Sequence, residues 1–219
     1  MAALLALLTL LCLGLGVWQV ERRAWKLDLI ASVEARRRAP AAPAPGPRKW
    51  RELTAARDAY RRVRVAGVFD HARATRVQAT TALGQGAWLL TPLVTQEGWT
   101  VLVNRGFVPA GPAAVSAPPG PVTVAGLLRI TEPKGWFLRQ NDPARERWYS
   151  RDVGAMARAR GLGQVAPYFI DADASGGAGP PVGGLTVVTF RNTHLVYALT
   201  WFALAGLGAW GLWAVVRER

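Results

Sequence analysis

The sequence predicts an α+β protein in which two transmembrane helices flank a mainly antiparallel β domain with short helices of its own. Three observations carry that expectation. Uncharged apolar runs occupy residues 2–18 and 195–216, the two ends of a 219-residue chain. Between them, short segments alternate apolar and polar side chains with the period of two that a half-buried strand needs. Those segments are joined by glycine- and proline-rich turns, and the helical patterns lie outside the run of strands. This favours an antiparallel sheet or small barrel over parallel βαβ units.

The second apolar run, at 1.5 Å per helical residue, is about 33 Å long and crosses a hydrocarbon core of about 30 Å. The first is at the short end of the spanning range. Trp18 and Trp213 stand near the run ends, where aromatic belts mark the membrane interface. The expected organisation is a helix over 2–20, a domain over 21–190 and a helix over 194–216. A cleaved signal peptide is the rival for the first run. It would need a basic leader and a small-x-small cleavage site, and Val17-Trp18-Gln19-Val20 offers none. Leu10-Leu11 before Cys12 lacks the small residue of a lipoprotein site, so a retained anchor is favoured. The chain starts directly in the helix, which suggests a late start.

The net charge is +13, and 24 of the 27 basic residues are arginine. The arginines are scattered over strands and turns instead of forming a recognition helix, so nucleic acid is not an expected partner. Anionic lipid head groups are. Arg217 and Arg219 favour a cytoplasmic carboxyl end, whereas Arg22, Arg23 and Lys26 flank the first run on the opposite side. The rule weighs short loops, and this loop is about 175 residues, so orientation stays open on charge alone. The single cysteine, Cys12, allows no disulfide within the chain.

Along the middle, "ERRAWKLDLIASVE" (21–34) continues helically with Trp25, Leu29 and Val33 in one stripe, and a break is expected at Arg36-Arg37-Arg38. "APAAPAPGP" (39–47) reads as a stiff, unstructured linker. A short helix is expected over 48–59. Strands are expected over 60–69, 73–80, 86–94, 99–108 and 122–130, with a hairpin turn at Gln96-Glu97-Gly98. A helix over 152–160, capped by Ser150 or Asp152 and closed by Gly161, precedes a buried strand over 167–171. Residues 173–184 read as a flexible connection to 185–190 and the second membrane helix.

Catalytic signatures do not emerge. There is no Cys/His metal spacing, nucleophile elbow or phosphate loop, so an enzyme is not expected. His71 reads as a surface-turn residue, and Asp142 and Asp171 as turn aspartates that cap. In "VNRGFVP" (103–109), Asn104, Arg105 and Gly106 interrupt an apolar strand. A bulge is the favoured reading, with glycine permitting close backbone approach. The alternative is an arginine placed to meet a carboxylate such as a haem propionate.

His194 opens the last helix, in "RNTHLVYALTWF". Taken alone it fits an interfacial belt with Tyr197 and Trp201. If the helices are antiparallel, Trp18 and Gln19 share its membrane face. His194, Tyr197 and Trp201 follow i, i+3, i+7 along one side. Ala198, Ala205 and Gly208 leave room on nearby rows for a helix or a flat ligand. A neutral imidazole beside aromatic side chains suits a tetrapyrrole.

Taken together, "LGLGVWQVERRAWKLDLI", "RVRVAGVFDH", "LLTPLVTQEGWTVLVNRGFVP", "VAGLLR", "NDPARERWYSRDVGAMA", "PYFIDADA" and "RNTHLVYALTWFALA" resemble the SURF1 (Shy1) family of cytochrome c oxidase assembly factors, most closely its bacterial members. They follow the family's order from about residue 13 to 205. The resemblance implies a multi-pass protein of the bacterial inner membrane, with a periplasmic central domain and both termini cytoplasmic. It implies a non-enzymatic role: binding haem a and assisting its insertion into cytochrome c oxidase subunit I, with haem A synthase as a further partner. The family's second-helix histidine matches His194, the expected axial ligand of haem iron. Tyr197, Trp201, Trp18 and Gln19 are then expected to line the pocket, and Arg105 to steady a propionate. A membrane scaffold that stabilises an assembly intermediate without haem is the alternative. Copper handling is disfavoured, since Cys12 and two distant histidines make no soft-ligand cluster. The departure from the family pattern is the missing leader ahead of the first helix.

Overall fold

The computed structural model describes residues 1–112, 114–133, 139–174, 179–186, 190 and 192–217. They fall into two compact units, one drawn from 1–34 and 188–219, the other from 35–187. Helix α1 (Ala2–Arg38) is continuous through the expected break, and Arg36, Arg37 and Arg38 occupy its last turn. Three cations there complement the carboxyl end of the helix dipole, and Pro40, not the arginines, stops the helix.

The proline-rich segment is not an unstructured linker. Its β1 (Ala42–Pro43) pairs in parallel with β2 (Arg62–Phe69), and the Ala44 N–H donates to the Arg64 carbonyl at 2.9 Å. The Pro45 carbonyl accepts from Trp50 Nε1 at 2.9 Å and from the Tyr168 hydroxyl at 2.8 Å. Prolines keep their carbonyls and their extended φ, so they fit an edge where few N–H donors are needed. The helix expected over 48–59 splits into a 3-10 segment, Pro47–Glu52, and α2 (Ala55–Asp58). Thr54 restarts it as N-cap, accepting from the Arg57 N–H at 3.3 Å.

The remaining strands are β3 (Thr75–Thr81), β4 (Gly84–Thr95), β5 (Thr100–Pro109), β6 (Pro121–Ile130) and, after α3 (Val153–Ala159), β7 (Val165–Ala172). Their order is β1-β2-β6-β7-β5-β4-β3, and β2 also pairs with β4 at Gly67, Val68 and Phe69. That second pairing closes β2, β6, β7, β5 and β4 into a five-stranded barrel. A Cβ at Gly67 would run into the Val94 carbonyl, so only glycine permits the seam. Within the ring, only β5 and β7 are parallel.

Alternation fills the barrel. Val63 and Val65 of β2, Leu93 of β4, Val101 and Val103 of β5, Leu128 of β6 and Tyr168 and Ile170 of β7 form one buried cluster. The opposite faces of β4, β5 and β7 give Leu90, Leu102 and Phe169 to a second cluster, covered by Trp148 and by Val153 and Met156 of α3. Strand β5 is therefore buried on both faces, which is why its sequence reads as a nearly unbroken apolar run. The β4–β5 hairpin turns through Gln96-Glu97-Gly98, with Gly98 at φ 84°. Asp152 caps α3 by accepting from the Ala155 N–H at 3.0 Å, and Gly161 lies beyond its end at φ 58°.

Helix α4 (His194–Arg217) completes the first unit. Both α1 and α4 are long and apolar enough to cross a membrane. At the ends of their apolar stretches, Arg22 lies 4.0 Å over the Trp25 ring and Arg217 5.0 Å over Trp213. Of the expectations above, the strand approach at 185–190 falls partly outside the described residues, as do four residues of the 173–184 connection (175–178), Arg191 and Arg219.

Candidate functional site

Helices α1 and α4 run antiparallel, and three contacts set their register. His194 Nδ1 lies 2.7 Å from Gln19 Oε1. A Cβ on Gly16 would meet the Phe202 ring, and one on Gly208 would meet Thr9 Oγ1. Small residues thus let the two backbones approach. Ala198 and Ala205 are 2% exposed. The rows of small residues are therefore occupied by α1, and are not left open to a flat ligand.

The Gln19 contact defines the histidine. Gln19 Oε1 only accepts, so His194 Nδ1 carries the proton and donates it, and Nε2 keeps its lone pair. A ring whose one nitrogen is anchored to a carbonyl oxygen is oriented for metal ligation through the other. Among the described residues, Nε2 has no partner. Tyr197 and Trp18 are about half exposed, at 54% and 52%, and Trp201 is half-buried. Among the described residues, no hydrogen bond or ring contact joins these three to His194. The sequence spacing brings His194, Tyr197 and Trp201 to one side of α4, but the single side-chain contact made by the histidine is with Gln19.

Arg105 belongs to the β domain. Two residues of β5, Arg105 and Gly106, stand opposite Leu89 of β4, since Trp88 pairs with Phe107 and Leu90 with Asn104. This is the expected bulge. Gly106 is at φ 131°, and a Cβ there would collide with the Val182 carbonyl, whose strand-like pairing with Phe107 runs alongside. The bulge turns Arg105 toward His71, with Nη1 3.4 Å from His71 Nδ1, and Nη2 donates to the Ser116 carbonyl. The guanidinium carbon sits 5.0 Å over the Phe69 ring. Burial pushes the Arg105 pKa down from the ordinary arginine value. His71 is correspondingly more than a surface-turn residue: its Nε2 lies 3.1 Å from the Pro118 carbonyl.

Asp142 caps a 3-10 turn, accepting from the Arg145 N–H at 3.3 Å, as expected. Asp171 is no cap. It is 3% exposed and accepts from Asn104 Nδ2 at 2.8 Å, Arg129 Nη1 at 2.6 Å and Thr186 Oγ1 at 2.9 Å, with Arg151 Nη1 at 3.4 Å. Glu132 bridges the same two arginines. Burial opposes the charge on Arg129, but Asp171 and Glu132 outweigh it and hold its pKa above the ordinary value. Nothing in the local sequence separates Asp142 from Asp171, because the partners of Asp171 come from five distant segments. Among the described residues, no three histidine, cysteine or acidic side chains are grouped to hold a metal ion.

Comparison with known proteins completes the picture. Residues 6–206 match the model of the SURF1 family. Human Surfeit locus protein 1 is 38% identical over 233 residues, covering 95% of this chain and 75% of the human protein. The mouse protein of that name is 39% identical over 223 residues, 91% of this chain and 70% of the relative. A SURF1-like protein of Monosiga brevicollis is 33% identical over 226 residues, 94% and 83% of the two chains. These relatives are eukaryotic, so the similarity extends well beyond bacterial proteins. The matched stretch takes in α1, the whole barrel and the first half of α4 with His194, and the chain belongs to the SURF1 family.

Proposed function

We propose that this protein is an assembly factor for haem-copper cytochrome c oxidase that holds haem a through His194 and assists its insertion into subunit I. Family membership supports the assembly role, through the resemblance drawn from the sequence motifs. The observation that carries the haem reading is the Gln19–His194 contact, which leaves Nε2 as a free, oriented nitrogen donor. Haem a is cargo here, and its iron would supply the Lewis acid for that nitrogen. Gln19 fixes the tautomer and the ring plane. Trp18, Tyr197 and Trp201 offer aromatic surface along the same end of the helix pair.

In this reading the protein sits in a bacterial inner membrane, with the barrel domain in the periplasm, both termini in the cytoplasm, and subunit I and haem A synthase as partners. The scaffold reading, without haem, draws support from one observation: Ala198 and Ala205 are covered by α1, which reduces the flat surface open to a porphyrin.

Absorption spectra separate the two readings. Wild type, His194→Ala and Gln19→Ala are purified from cells that make haem a. The haem reading expects a Soret band in wild type, none in His194→Ala, and occupancy lowered by about 10–100-fold in affinity for Gln19→Ala. An empty wild type, or equal loading of His194→Ala, would leave the scaffold reading standing.

A further inference from the structure

The barrel domain carries a second candidate site, independent of the haem reading. Leu89 and Thr91 of β4 stand on the same strand face as the barrel-core residue Leu93, and Arg76 of β3 is registered beside Leu89. Beyond the β2–β4 seam this face opens into a cavity of about 470 Å³, lined also by His71, Arg105, Glu146 and Arg160. A volume in that range admits an organic molecule, not merely an ion.

Its charge is one-sided. Arg160 is matched by Glu146 through two contacts, the Nη1–Oε1 one being 2.7 Å. Arg76 and Arg105 have no carboxylate partner among the described residues, which leaves the lining at a formal +2. Arg105 is the telling member because it is only 9% exposed. A buried cation is costly unless paired, and the other well-buried arginines, Arg129 and Arg151, share two carboxylates. Arg105 has instead a ring nitrogen and a backbone carbonyl. These neutral acceptors orient the guanidinium and leave most of its five N–H donors unused. His71 suits this part, since donation from Nε2 to the Pro118 carbonyl leaves Nδ1 as the acceptor facing Arg105. Thr91, fully buried in the same lining, has a hydroxyl with no hydrogen-bond partner. Leu89 and Val115 add apolar wall.

We propose that this cavity binds a small organic oxyanion, a carboxylate or phosphate with an apolar body, whose charged group is received by the Arg105 guanidinium with Arg76 at the rim. A guanidinium fork matches the two oxygens of such a group, and here it is already held in place by His71 and Ser116. The bulge at Arg105–Gly106 is the device that turns the side chain out of the strand's alternation into this position.

The test uses the full chain in detergent micelles, prepared without haem a, with benzoate, phenyl phosphate and inorganic phosphate as probes. Sodium chloride at equal ionic strength is the control, because exposed charges respond to salt alone. Isothermal titration calorimetry is expected to show saturable binding of at least one organic probe, stronger than inorganic phosphate. Arg105→Lys keeps the charge but loses the fork and is expected to weaken that binding about tenfold or more. Arg76→Gln, at an exposed position that cannot disturb folding, is expected to weaken it several-fold and carries the test if Arg105→Lys fails to fold. No saturable binding by any probe, or unchanged affinity in both variants, overturns the proposal.

Discussion

Replacing Asp171 by alanine removes the centre of the buried polar network beside the second core cluster. In the native fold its carboxylate, with its side chain 2% exposed, serves Arg129 and Arg151, whose side chains are 14% and 17% exposed. Without it the two cations share only Glu132, and Asn104 and Thr186 lose an acceptor. Breaking a buried pair by removing one partner costs about 3–5 kcal/mol, because the desolvation penalty of the remaining charge stays. At about 2–4 °C per kcal/mol for a domain of this size, the expected fall in Tm is about 6–20 °C. Asp142→Ala is the matched control: it deletes only an exposed cap, worth about 1 kcal/mol and therefore about 2–4 °C. Thermal unfolding of the full chain in micelles, followed by near-ultraviolet circular dichroism, reports the tryptophans packed in the domain. If Asp171→Ala melts within about 4 °C of wild type, or together with Asp142→Ala, the network does not carry the load assigned to it.

Gly106→Ala is expected to abolish folding of the domain, or to lower its stability by more than about 3 kcal/mol, because φ 131° and the Val182 carbonyl both exclude a Cβ. Soluble yield in detergent and urea unfolding measure this, and a near-native variant would contradict the close approach. Tyr168 gives a pH dependence. Burial raises its pKa above the ordinary tyrosine value, so its contribution is fully present below about pH 10 and is lost as pH rises through the folded value. Wild type should lose stability in this alkaline range, and Tyr168→Phe should lack that limb. At neutral pH Tyr168→Phe should lose about 1 kcal/mol, since the Pro45 carbonyl retains Trp50.

Much of the architecture was legible before any coordinates. The hairpin at Gln96-Glu97-Gly98, the alternation of β2, the capped α3 and the bulge at Arg105-Gly106 all follow from local rules about period, turns and caps. What misled was composition without context. A proline-rich stretch with no partner is a linker, but this one finds the edge of β2 and two donors for Pro45. Two aspartates in similar turns looked alike, and only one is buried under two arginines.

The site divides in the same way. The sequence by itself determined that two apolar helices enclose a β domain, that His194 opens the second helix, and that Tyr197 and Trp201 share its side, because helical periodicity is a property of one segment. Only the tertiary structure decided what those residues touch. Whether Ala198 and Ala205 face a ligand or α1, which nitrogen of His194 bears the proton, and whether Arg105 has a carboxylate partner depend on segments far apart in the chain. Side-chain pairing across such distances is set by packing and register, and local periodicity carries no record of either.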